Sequence, residues 1–443
     1  MNLNRRTFLA GLGGAGWAFA NGAFARADEE APRPNIILCM TDDQGWGDVS
    51  YNGLKEIQTR NLDEMAASGL RMNRFYAAAP VCSPTRGSVL TGRHPCRYGT
   101  FQPGKPIRIE EQTIAQALKA AGYVTGHFGK WHLNGVSGPG KPLKDDDPLN
   151  PGKLGFDEWL SVSNYFERNW TFGRNGKGEE KLLGDGSEAI VAEALKFVDR
   201  AAAAKKPFLA VVWFGSPHDP HDPLPEDRQA GGAYYGEILG VDRAMGALRA
   251  GLRAKGVSEN TLLWFNSDNG AKRGSTGGLR GKKGTLWEGG VRVPGLAEWP
   301  ARIKKGSVTD VPAVTSDLYP TLLELAGAKV KDQIQPLDGV SLVPLLDGKM
   351  AERAAEIGFW DGSSKILTDL NSGHAAWTGN RFKLHKLGAG TFELYDLVDD
   401  PAESKDLAAA KPEMVQAMKT ALSAWQESVV KSLKRGDYAA QGK

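Results

Sequence analysis

The sequence predicts an α/β protein whose main sheet is covered by helices on both faces. Three observations lead there. Four short apolar runs, NIILCM (35–40), YVTGHFGKWHL (123–133), PFLAVVWFG (207–215) and TLLWFN (261–266), read as buried strands. Segments with apolar residues at helical spacing lie between them, notably TIAQALKAAG (113–122) and YYGEILGVDRAMGALRAGLRAKG (234–256). Polar, charged and metal-capable residues follow the C-terminal end of each run, the edge at which open α/β sheets bind ligands.

The first 27 residues stand apart from this fold. MNLNRRTFLAGLGGAGWAFANGAFARA has a basic start, a mildly apolar stretch and small residues at Ala23-Phe24-Ala25 or Ala25-Arg26-Ala27, the pattern of a cleaved export signal. Arg5 and Arg6 before Thr7, Phe8 and Leu9 resemble the twin-arginine type, an ordinary secretory signal or a lipid-free anchor being the alternative. No other stretch is apolar enough to span a bilayer. The expectation is a periplasmic or secreted protein, carried by the twin-arginine machinery, with no stable membrane insertion.

At 443 residues, 41% hydrophobic and 24% charged, the chain has the composition of a globular protein of two domains, or of one large domain with an appendage. Losing residues 1–27 removes Arg5, Arg6 and Arg26 and no acid, which lowers Lys plus Arg from 55 to 52, level with the 52 acids. A neutral chain has no global field to gather a polyanion, so nucleic acid is excluded as an expected partner and any anion site must be local. Three cysteines do not make a disulfide framework.

The strand ends then carry the chemistry. NIILCM runs into Thr41-Asp42-Asp43-Gln44-Gly45 and TLLWFN into Ser267-Asp268-Asn269-Gly270. Either alone is an ordinary polar turn. Together Asp42, Asp43, Asp268 and Asn269 offer hard oxygen donors suited to Ca²⁺ or Mg²⁺ rather than zinc. Lys130 and His132, two apart, share a face if the strand continues through them, and a buried Lys there calls for an anionic partner. In SPHDPH, His218 follows a strand closely and is flanked by Pro, which suits a fixed acid; His221 reads equally well as part of a surface loop. LRGKKGTLWEGGVRVP places Lys282 and Lys283 among glycines, either a flexible loop or a way to bring an ammonium to an oxyanion.

APVCSPTRGSVLTGRHP (79–95) holds Cys82 in a polar stretch. Pro84 suits a first helical turn with Ser83 as N-cap, which sets Cys82 at the positive end of the helix with Arg86 one turn on. On this evidence a nucleophilic cysteine remains open.

These residues match a family. CSPTRGSVLTG resembles the formylglycine signature of type I sulfatases, Cys-x-Pro-x-Arg followed by Thr-Gly, with Thr85 where Ser or Ala is more usual. PNIILCMTDDQGWGD, GKWHL, SPHDPH, SDNG, GKKGTLWEGGVRVPG and FELYDLVDDPAESKDLA follow in family order across nearly the whole chain. The pattern is similar to that of arylsulfatases and N-acetylgalactosamine-6-sulfatases. The resemblance implies an alkaline-phosphatase-like α/β/α sandwich with a large mixed sheet over residues 28–350, then a small C-terminal antiparallel sheet with a helix over 351–443. In that second part NRFKLHKL and TFELYDL read as strands and PEMVQAMKTALSAWQESVV as the helix.

The resemblance also implies a reaction, the hydrolysis of a sulfate monoester. Cys82 would be oxidised by a separate formylglycine-generating enzyme to an aldehyde whose hydrate attacks sulfur and then expels sulfate. Asp42, Asp43, Asp268, Asn269 and the modified residue 82 would hold Ca²⁺, with Mg²⁺ the alternative. Arg86 would orient the diol, Lys130 and Lys283 would bind sulfate oxygens, His132 would act as base and His218 as acid. The substrate is expected to be a sulfated carbohydrate, for which the aromatic stretch GFDEWLSVSNYFERNWTF (155–172) offers either a stacking wall or packing beneath a loop. An aryl sulfatase, a phosphate or phosphonate monoester hydrolase, and a non-catalytic glycan-binding protein with an unmodified Cys82 are the rival readings.

Overall fold

Strand Asn35–Thr41 lies at the centre of a ten-stranded mixed sheet. In the computed structural model, which describes residues 33–388 and 390–438, it pairs in parallel with Thr261–Ser267 on one side and Phe208–Trp213 on the other. Val124–Lys130 and Glu158–Val162 extend the parallel block, so five neighbouring strands point the same way. Antiparallel strands flank it, Gly295–Glu298 at one side and Thr171–Arg174 with Gly178–Lys181 at the other. The export signal expected over residues 1–27 lies outside the described residues.

Alternation along the strands explains the two-sided core. Ile36, Leu38 and Met40 face one layer with Leu209, Val211, Trp213, Leu262 and Trp264. That layer is closed by helices Cys82–Thr91, Ile114–Ala120 and Leu318–Ala326, through Val89, Leu90, Ile114, Leu118 and Leu322. Ile37 and Cys39 face the other layer, against Gly186–Ala203 and Pro225–Ala254. A period-two strand with both faces apolar is what a helix-covered parallel block requires. Thr113 opens its helix with a full capping box to Gln116. No helix among the described residues is long and apolar enough to cross a membrane.

The small antiparallel sheet has four strands, Ile357–Asp361, His374–Thr378, Phe382–Lys386 and Phe392–Asp396, two more than the sequence suggested. Helix Pro412–Leu433 covers it through Leu422, Val429 and Leu433. Residues from Arg33 onward group as one unit.

Two local expectations need correction. Ser83 is not the N-cap: the helix begins at Cys82, the cap position is Val81 with no side-chain bond, and the Ser83 hydroxyl instead accepts from the Gly104 amide at 2.9 Å. The strand ends at Lys130, and His132 takes a left-handed φ of 57°, so the two side chains do not share a strand face. The helix expected over 234–256 is present and runs to Ala254; a separate helical stretch from Pro225 precedes it across a break at Gly232, whose φ of 73° a β-carbon disfavours.

Asp338 fastens the helical layer to the C-terminal helix. Its carboxylate accepts from Arg97 Nε at 2.7 Å and Nη2 at 2.8 Å, from the His94 amide at 2.6 Å, and from Trp425 Nε1 at 2.9 Å. Burial alone would raise its pKa, but Arg97 and these donors hold it down at about 2. A carboxylate depressed in the folded state stabilises above its unfolded pKa, and that contribution drains away as pH falls toward the folded value. The shift corresponds to about 2 kcal/mol. Asp338→Asn is therefore expected to destabilise at pH 7 by at least that amount, with the gap to wild type narrowing between pH 4 and 2; urea titrations at several pH values measure it.

Candidate active site

All the chemistry sits at the C-terminal edge of the parallel block. Asp42 and Asp43 follow Asn35–Thr41, Asp268 and Asn269 follow Thr261–Ser267, His132 follows Val124–Lys130, and His218 follows Phe208–Trp213. Backbone bonds tie these ends together: the Asp42 amide donates to Ser216 O and the Asp268 amide to Thr41 O, both at 3.1 Å. Asp43 takes a left-handed φ of 68°, a conformation of order 1 kcal/mol uphill for a residue with a β-carbon. Gly270 is required where it is, since a β-carbon there would lie 2.0 Å from Gly289 O.

Three carboxylates and a thiol meet at this edge. Asp42, Asp43, Asp268 and Cys82 each offer a ligand atom, all within 4.8 Å of one another, and all four residues are buried. Cys82 Sγ lies 3.4 Å from Asp42 Oδ1 and 4.0 Å from Asp43 Oδ1. Three buried or half-buried cations surround them. Arg86 donates from Nε at 3.1 Å and Nη2 at 2.7 Å to Asp268 Oδ2. Lys130 Nζ contacts Asp42 Oδ2, and Lys283 Nζ contacts Asp43 Oδ1 while lying 3.6 Å from Cys82 Sγ. Lys283, and not the exposed Lys282, is the lysine delivered to residue 82.

Burial and charge set the protonation states. Burial pushes the Asp42 pKa up, but Lys130, with His218, Arg86 and Lys283, overcomes it and holds the carboxyl well below its ordinary value. Asp268 is pushed up to about 6 by burial and by the Asp42 charge, with Arg86 opposing. The Cys82 thiol is pushed up by burial, then by Asp268 and Asp42. That is the wrong direction for a thiolate nucleophile. His132 is held well below the ordinary histidine value by burial and then by Lys130 and Arg86, which leaves a neutral imidazole able to accept a proton. His218 is lowered by burial, partly offset by Asp42.

The donor set fits a hard divalent cation. Asp43 Oδ2 and Asn269 Oδ1 are buried and have no hydrogen-bond partner, and an orphaned buried oxygen is costly. Asn269 lies beside Asp43, donating from Nδ2 to Asp43 Oδ1 at 2.9 Å. Two unpartnered oxygens in a cluster of three carboxylates are what Ca²⁺ or Mg²⁺ would satisfy.

A family model described as Sulfatase matches residues 34–328. The chain belongs to the sulfatase family. A second model, N-sulphoglucosamine sulphohydrolase, C-terminal, matches residues 281–428 of this sulfatase. N-acetylgalactosamine-6-sulfatase of Canis lupus familiaris is 33% identical, covering 84% of this chain and 75% of that protein. Arylsulfatase A of Homo sapiens is 31% identical, covering 87% and 86%. The ulvan-active sulfatase of Formosa agariphila is 29% identical, covering 87% and 79%. Among solved structures, Ps i-CgsB in complex with k-i-k-neocarrahexaose superposes with a TM-score of 0.80 at 28% identity, covering 92% of this chain and 98% of that one. The phosphonate monoester hydrolase of Agrobacterium radiobacter, at 21% identity and a TM-score of 0.64 over 91% and 97% of the two chains, shares the alkaline-phosphatase-like fold. The sulfatase is thus an enzyme of the sulfuric ester hydrolase class with the expected large and small sheets.

Several residues around the site escaped the sequence reading. Trp213, the last residue of its strand, lies beneath the Arg86 guanidinium at 5.1 Å, a cation–π contact between two fully buried side chains. Tyr165 stacks on His218, with ring centroids 4.9 Å apart and planes at 15°. The rest of the aromatic stretch is mostly core: Phe156, Trp159, Phe166 and Phe172 are buried, so packing, not a sugar wall, is their role. His221 Nε2 donates within its own loop to Pro217 O at 3.0 Å and lies 3.4 Å from Asp219 Oδ1, and it is not among the clustered groups.

Arg86 is fully buried, and its fork is the main partner of Asp268 in the sulfatase. Removing one member of a buried ion pair costs about 3–5 kcal/mol. Arg86→Met is expected to lose stability of that order, read as a lowered thermal midpoint, whereas a change at an exposed arginine such as Arg60→Met should stay within about 0.5 kcal/mol.

Proposed function

We propose that this sulfatase hydrolyses a sulfate monoester of a carbohydrate, with Cys82 converted to formylglycine beside a Ca²⁺ ion. The catalytic part spans residues 28–350 and the C-terminal subdomain 351–443. The observation that carries the reading is the buried set of Asp42, Asp43, Asp268 and Cys82, with ligand atoms within 4.8 Å of one another. Asn269 completes the donor set, and Mg²⁺ is the alternative ion. The carbohydrate reading draws on relatives named for N-acetylgalactosamine-6-sulfate and ulvan, and on the neocarrahexaose-bound structure.

With both groups in place, the cation would neutralise ester oxygens and the aldehyde hydrate would supply the attacking oxygen. The side chains of the chain do the rest. Arg86, locked to Asp268 and seated over Trp213, fixes the position of residue 82. Lys130 and Lys283 bind sulfate oxygens; each now neutralises a carboxylate that a divalent cation would take over. His132, neutral and with Nδ1 lacking a partner, accepts a proton from residue 82. His218, stacked on Tyr165, delivers a proton to the departing alcohol. Burial of Cys82 supports a thiol that is a precursor, modified before the fold closes over it. The amino-terminal segment, read as a twin-arginine signal, completes the proposal of a periplasmic or secreted enzyme.

Three measurements test it. Peptide mass analysis of the enzyme from its native host is expected to show an aldehyde in place of the Cys82 thiol; an unmodified thiol in a fully active enzyme ends the proposal. Turnover is expected on a sulfated oligosaccharide panel in preference to nitrophenyl sulfate or matched phosphate esters, and the reverse preference overturns the substrate class. Chelation is expected to abolish turnover while lowering the thermal midpoint by only a few degrees, because Arg86, Lys130 and Lys283 still neutralise the carboxylates; Ca²⁺ should restore activity.

A further inference from the structure

The lysine that reaches residue 82 sits on a segment gripped from the small C-terminal sheet. Residues 280–289 form a closed loop, its base pinned by the Gly289 amide donating to Arg280 O at 2.7 Å. Lys283 lies at the loop's far side, where its own amide donates to Ala271 O at 3.0 Å and the Gly284 amide to Pro80 O at 2.9 Å.

The base of the loop is held from the small sheet and the turn after it: besides Glu403, Tyr395 Oη accepts from Arg280 Nη1 at 3.0 Å and Lys383 Nζ donates to Glu288 Oε1 at 2.9 Å. Glu403 follows the last strand of the small sheet, is fully buried, and adopts a left-handed φ of 54°. Its Oε2 accepts from the Glu288 amide at 2.7 Å, and its carbonyl accepts from Arg280 Nη1 at 3.2 Å. One residue therefore grips both ends of the segment that carries Lys283. Its Oε1 is held in turn by the small sheet, 2.6 Å from His385 Nε2 and 3.3 Å from Lys383 Nζ. Aromatic packing locks the same joint: the Arg280 guanidinium lies 3.5 Å over the Trp287 ring, and Trp287 packs on His385 with centroids 4.1 Å apart. A buried carboxylate with backbone, imidazole and ammonium donors is a stiff anchor, and a charge-assisted bond is stronger than a neutral one.

We infer that Glu403 is a positioning residue for the sulfatase reaction: it acts through the Arg280–Glu288 segment to hold the Lys283 ammonium at residue 82, so that the small sheet is part of the catalytic apparatus. The inference rests on Lys283 being a sulfate-binding group. It assigns a chemical purpose to the PAESKDLA stretch, which the sequence reading used only as a family marker.

A double-mutant cycle on the full-length, matured enzyme tests it, with kcat, KM and the inhibition constant of inorganic sulfate measured for each variant. Lys283→Ala is expected to lower kcat/KM by about 100-fold or more. Glu403→Gln is expected to lower it about 10-fold and to weaken sulfate inhibition in the otherwise native enzyme, yet to change either by less than about 2-fold in the Lys283→Ala background. Arg280→Met, at the half-exposed edge of the joint, should follow the same pattern and serves if Glu403→Gln does not fold. Losses that multiply, or a Glu403→Gln enzyme with unchanged kcat/KM, overturn the positioning role while leaving Lys283 in place. A fully active Lys283→Ala enzyme overturns both.

Discussion

Mutual neutralisation of three buried carboxylates by three cations is the constraint on which this molecule is built. Two carboxylates within 4.8 Å of one another repel by about 3 kcal/mol or more, even at an effective dielectric near 20. Asp42, Asp43 and Asp268 can share one buried space only because Lys130, Lys283 and Arg86 are brought into it. Each comes from a different part of the chain, so the charge balance exists only in the folded state. The same balance poises the site: any divalent cation that takes the carboxylates releases two ammonium groups beside residue 82.

The sheet supplies the convergence. Neighbouring parallel strands end at one edge, and a side chain placed just past each end needs no long loop to reach its partners. Where the backbone has to turn sharply to complete the cluster it does so at Asp43 and His132, two residues with β-carbons in the left-handed region. Such residues persist where the surroundings over-determine them. Here the surroundings are a sheet packed on both faces, with Arg86 pressed between Asp268 and Trp213.

The four central strands and the clustered site residues were legible because each signal was local: an apolar run followed by acids, or a cysteine followed by proline and arginine. The misreadings were also local in cause. Ser83 resembles a cap by residue type, but the helix starts one residue earlier and its hydroxyl serves Gly104. Lys130 and His132 obey strand periodicity only if the strand continues, and it does not. The aromatic stretch mixes a site-facing Tyr165 with buried packing residues, which composition cannot separate. Trp213 and Glu403 were invisible for a different reason: their contacts join segments far apart in the chain, and no spacing rule reports those.

The three thiols carry one more consequence. Cys39, Cys82 and Cys96 are buried in separate surroundings and none is bridged. Disulfide cross-links therefore contribute nothing to holding the fold, which rests on packing, hydrogen bonds and ion pairs. No part of the fold waits on a disulfide being made or kept, so neither a reducing nor an oxidising compartment is required to complete it.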